Sequence, residues 1–89
     1  MANPALTAIT PKDAWQKVAT AVKFGTVTIA DSTPNAYYHD NRDTGGAAPA
    51  DLSTARSFNH SGTEIINNDV PIDVYIYAKG APGAVIVDV

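Results

Sequence analysis

Cysteine is absent from this 89-residue chain, which rules out disulfide staples and thiolate zinc sites. The absence also fits assembly in a reducing compartment. Glutamate occurs once, at Glu64, and histidine twice, at His39 and His60. Paired carboxylates for glycoside hydrolysis are therefore not in view, with Asp73 expected on an outer strand face. A zinc site would have to recruit carboxylates from distant loops. No serine sits in the spacing of a nucleophile elbow. Basic residues are few: six Lys and Arg against nine Asp and Glu give a net charge of −3 and a pI near 4.9, which argues against nucleic acid as the partner. No apolar run approaches the roughly 20 residues of a membrane span. Met1-Ala2-Asn3-Pro4 lacks the basic and apolar regions of a secretory signal. The expectation is a protein made in the cytoplasm without a signal peptide. It should be no enzyme, hold no cofactor or metal, and bind neither nucleic acid nor membrane.

What the chain does have is alternation. In residues 72–79, Ile72, Val74, Ile76 and Ala78 share one side, and Asp73, Tyr75, Tyr77 and Lys79 the other. Such a period of two, rich in β-branched and aromatic residues, predicts a half-buried strand. Gly80-Ala81-Pro82-Gly83 is a connector, and Val85, Val87 and Val89 alternate after it. A four-residue link between two such runs is most simply an antiparallel hairpin. Upstream, residues 15–22 suit a strand with Val18, Thr20 and Val22 on one face, although Ala14, Trp15, Val18, Ala19 and Val22 also fit helical spacing. Lys23-Phe24-Gly25 reads as a turn, and Val27 and Ile29 face inward from the next strand.

Residues 31–35 read as a loop, 36–39 as a short strand and 40–51 as a long exposed loop. One helical turn is expected near residues 49–53, a strand within 55–59 and a turn at Ser61-Gly62. Residues 63–66 make a further strand, ended by 67–71. The predicted fold is all-β: one small antiparallel sandwich or barrel of about six to seven short strands over residues 15–89. Residues 1–14 form an extended N-terminal arm, interrupted by Pro4 and Pro11, with a helix-start signature at Thr10-Pro11-Lys12-Asp13. At 9.3 kDa, about 63% of the extended surface should be buried, enough for one thin core.

Charge is uneven. Lys12, Lys17 and Lys23 against Asp13 make the first thirty residues +2, leaving −5 of the total −3 for the rest. Complementary ends of this kind can steer subunits together, though a solvated surface is the plainer account. Asn41, Asp43 and Gly45 resemble the start of a calcium loop, but the EF-hand spacing and its bidentate Glu are missing. The aromatics offer more. Trp15, Tyr37, Tyr75 and Tyr77 suit a protein contact or a sugar platform, since flat amphipathic rings give area at low entropic cost. Leu6 and Ile9 are the sizeable apolar residues of the arm and would dock it on a neighbour. Cross-strand packing is the structural alternative for the tyrosines, Tyr38 above all.

The loop G-G-A-A-P-A-D-L-S (residues 45–53), followed by I-D-V-Y-I-Y-A-K-G-A-P-G-A-V-I-V-D-V (residues 72–89), resembles small virion accessory proteins of tailed bacteriophages. The likeness extends to a short arm, a tryptophan near an alternating strand, and a closing I-D-V-Y-V-Y-x-x-G-A-x-G-x-V-x-V-D segment. It covers about three-quarters of the chain. It implies a structural role as capsid decoration or as a tail or fibre component. The partners would be phage capsid or tail proteins and further copies of the chain, with a trimer favoured. No catalytic residue follows from it. The competing expectation is a small carbohydrate- or receptor-binding module working through Tyr37, His39 and the loop after them.

Overall fold

The computed structural model describes residues 4–30, 36–40, 49, 51–52, 55–57 and 62–89. Six strands follow in chain order: β1 (Ala5–Ile9), β2 (Trp15–Ala30), β3 (Ala36–Asp40), β4 (Arg56–Ser57), β5 (Thr63–Ala78) and β6 (Gly83–Asp88). All belong to one antiparallel sheet in the order β1-β6-β2-β5-β3-β4, which does not close on itself. The expected all-β architecture with its extended N-terminal stretch is present, and no helix occurs among the described residues.

Two strands of 16 residues each organise the sheet. A straight strand of that length would run about 50 Å, yet the longest dimension of the molecule is 33 Å. The β2–β5 pair must therefore fold over. Three register shifts between Lys17 and Phe24 mark the crease, and Ala21 there has a φ of 55°. Extra residues on one strand of a ladder bend it and sharpen its twist, which is how a strand passes from one layer of a sandwich to the other. Asp73 steadies the crease: its Oδ1 accepts from the Ala21 N–H at 3.0 Å, and its Oδ2 lies 3.5 Å from Lys17 Nζ.

The crease divides the sheet into two wings. The first contains β1, β6, the second half of β2 and the first half of β5. The second contains the first half of β2, the second half of β5, β3 and β4. Between them lies the core, with Ile9, Val27, Ile66, Val85 and Val87 from the first wing meeting Val22, Tyr38, Ile72, Val74 and Ile76 from the second.

Several expectations are corrected. The closing segment is not a hairpin: β5 and β6 lie on opposite sides of β2 rather than against each other. Alternation fixed the faces of both strands, with Ile72, Val74, Ile76, Val85 and Val87 all buried, but carried no information about neighbours. Val89, expected to be buried with Val85 and Val87, lies beyond the end of β6 and is 43% exposed. The link between β5 and β6 crosses from one wing to the other. Lys23-Phe24-Gly25 is not a turn, and residues 67–71 do not end a strand; each belongs to a long strand at the crease. Gly25 is needed for proximity, because a Cβ there would lie 2.5 Å from the carbonyl oxygen of Asp88. Register shifts also scatter the face expected of Val18, Thr20 and Val22: Val22 is buried, Val18 half-buried and Thr20 exposed.

The N-terminal stretch is extended, and its residues 5–9 are paired to β6 as an edge strand. Thr10-Pro11-Lys12-Asp13 makes bends instead of a helical turn. Asp13, at φ 59°, is in the left-handed region that aspartate tolerates better than most residues. Its N–H donates to the Ala78 carbonyl at 2.8 Å, and its Oδ1 accepts from the Gly80 N–H at 2.9 Å. Both inter-wing crossings are thereby tied together. Asp40, assigned to the exposed loop by composition, is instead fully buried at the end of β3 and accepts from the Tyr38 hydroxyl at 3.1 Å. The expected loop at 31–35, the calcium-like residues Asn41, Asp43 and Gly45, and His60 lie outside the described residues.

Candidate functional site: two outer faces

Residues paired directly across strands share a face, so the register assigns the outer surfaces. On the second wing, Trp15 pairs with Tyr77 and Lys17 with Tyr75, while Tyr37 pairs with Tyr77 and His39 with Tyr75. These side chains make one aromatic surface. Trp15 lies edge-to-face on Tyr77, with centroids 5.4 Å apart at 64°, and on His39 at 5.7 Å and 64°. Tyr37 meets Tyr77 at 6.3 Å and 73°, and His39 meets Tyr75 at 6.0 Å. Lys17 Nζ stands 5.9 Å from the Tyr75 ring centroid, and Trp15 Nε1 donates to the Asp51 carbonyl at 3.0 Å. His39 is fully buried, and the other four rings are half-buried. Edge-to-face pairs place the positive rim of one ring on the negative face of the next, so each ring is already served by a neighbour.

The first wing presents a different surface. One row across it runs Leu6, Ile86, Thr28, Thr63, and the next runs Asp88, Thr26, Ile65. Leu6 is 70% exposed, Ile65 73% and Ile86 38%. Thr28 and Thr63 share a hydroxyl–hydroxyl hydrogen bond at 3.3 Å. In these two rows Asp88 is the one charged group, and its buried Oδ1 has no hydrogen-bond partner. Toward the crease, Val22, Phe24, Pro71 and Val89 line a shallow groove of about 430 Å³ that also involves Lys23.

The structure thus divides the residues that the sequence offered as an interface. Trp15, Tyr37, Tyr75 and Tyr77 come together on the second wing, while Leu6 projects from the first. Ile9 is not part of an exposed docking surface: it is fully buried, filling the core. Ile65, Ile86 and Phe24 were missed because each interrupts an otherwise polar outer face singly. Only the register shows that Ile86 and Ile65 belong to the same surface as Leu6. No group of three or more His, Asp or Glu side chains suited to a metal forms among the described residues, and they include no helix long and apolar enough to cross a membrane. Comparison with family models, with curated proteins and with solved structures gives no match.

Proposed function

We propose that the protein is a structural component of a larger assembly, acting through protein–protein contacts rather than catalysis. In the form the sequence resemblance suggests, it is a virion accessory of a tailed bacteriophage, placed as capsid decoration or with the tail. Its partners are capsid or tail proteins and copies of itself, with a trimer as the favoured unit. One observation carries this reading: on the outer face of the first wing, two cross-strand rows expose Leu6, Ile65 and Ile86 and carry a single charged group, Asp88. Depletion of charge with retention of apolar area is the composition of an interface core.

The rival reading, a carbohydrate- or receptor-binding module, would use the aromatic face. Sugar stacking needs a ring face open to the ligand. Here the rings are tilted by 64–73° in their closest edge-to-face contacts, which favours mutual packing over a shared platform. Light scattering after size exclusion separates the two. An oligomer in the unaltered chain that falls to a monomer in Ile65→Lys supports assembly through the first wing. A monomer throughout, with saturable quenching of Trp15 fluorescence by polysaccharide, supports the binding module instead.

A further inference from the structure

We infer that β1 is an exchangeable strand, and that its slot on β6 is built to receive the β1 of a second copy of this chain. The inference rests on the assembly reading and specifies its contact.

The slot keeps its shape without its occupant. β6 is held on its other side by residues 26–30 of β2, so its edge toward β1 stays a formed strand when β1 leaves. Beside that edge stands the Gln16 amide. Its Nε2 donates to the Ala8 carbonyl at 2.8 Å, and its Oε1 accepts from the Thr10 N–H at 3.2 Å. Beneath lies the core site of Ile9. Gln16 asks only for a main-chain carbonyl and N–H, but the core site is filled by the Ile9 side chain, which makes a second β1 the matching occupant.

The occupant is lightly held. Among the described residues β1 pairs with β6 alone, in a register running from Ala5↔Val87 to Ile9↔Gly83. Ile9 is its one fully buried residue, and Leu6 stays 70% exposed. The root of the arm is fastened separately, because Asp13 is bonded to Ala78 and Gly80. Release of β1 therefore swings residues 4–12 and leaves the rest of the sheet in place. Within that hinge Pro11 has no N–H to extend a ladder in either position. An exchanged strand recovers every contact of the resident one, so the two arrangements differ by the hinge and by concentration, the condition under which strand swapping is accessible.

The test uses the absence of native thiols. Leu6 and Ile86 are direct cross-strand partners on the outer face, so Leu6→Cys/Ile86→Cys places two thiols at disulfide distance without touching the core. The double variant is oxidised at graded concentrations and run on a non-reducing denaturing gel, with Leu6→Cys alone as the measure of chance collision. Exchange yields disulfide-linked multimers well above that control, growing with concentration and lost on reduction. Internally bridged monomers at every concentration, or multimers no more abundant than in the control, overturn it. Light scattering on the unaltered chain, which keeps Leu6 and Ile86 on the outer face, distinguishes the two failures. An oligomer there beside internally bridged monomers on the gel removes strand exchange and leaves the assembly reading standing, whereas a monomer there removes both.

Discussion

The two wings are cut from the same two long strands, yet their outer faces behave as different materials. On the second wing large rings stand beside one another at the register positions of three strands, and each finds its partner within the chain. On the first wing aliphatic residues are separated by threonines and remain more than a third exposed. The difference teaches that apolar content alone does not mark a contact surface. Size and adjacency do: aromatic side chains reach across the roughly 5 Å between paired positions and cover each other, while Leu6 and Ile65 are too far apart to do so.

Substitutions can break this comparison or sharpen it. The largest effect should come from the core that both wings share. Ile76 is fully buried, so Ile76→Ala should cost about 3–4 kcal/mol, read as a lower urea midpoint followed by circular dichroism. On the aromatic face Trp15→Ala should cost about 2 kcal/mol, less than a fully buried tryptophan because Trp15 is half-buried. Equal losses for Trp15→Ala and for Leu6→Ala would erase the proposed contrast between the faces. At the crease that separates them, Asp73→Ala should cost about 1 kcal/mol through the unmet Ala21 N–H, and Asp73→Asn, which keeps an acceptor, should recover most of it. The smallest change in stability, within about 0.5 kcal/mol, belongs to Ile65→Lys. That variant should nevertheless show the clearest drop in solution mass, so a destabilised monomer of altered fold would count against the exposed-face assignment.

How much of this was legible in the sequence depended on the range of the interaction. Period-two alternation is a local property of the backbone, and it assigned Val74, Ile76, Val85 and Val87 to the interior correctly. Pairing is a property of residues far apart, and there local rules misled. A four-residue link suggested a hairpin where the chain crosses between wings. Gly25 suggested a turn because its reason for being glycine, the carbonyl of Asp88, lies 63 positions later in the chain. Asp40 was assigned to a loop by its charge, although its alternation with Tyr38 places both on one inward face. The tyrosine and tryptophan positions were legible as a group; their mutual edge-to-face packing required the register of three strands. Ile65 and Ile86 could not have been joined by sequence alone, since two different ladders connect them through β2.

One consequence of the strand order concerns synthesis. β1 lies against β6, so of the six described strands the one made first is matched to the one made last. Translation at about 5–20 residues per second sets several seconds between the two. For that interval Ala5–Ile9 is a completed strand whose own slot does not yet exist. Where many ribosomes share a message, the first β6 edge it meets can belong to a neighbouring chain finished earlier. If β1 exchanges as proposed, the order in which the strands are made favours that exchange between copies still being synthesised.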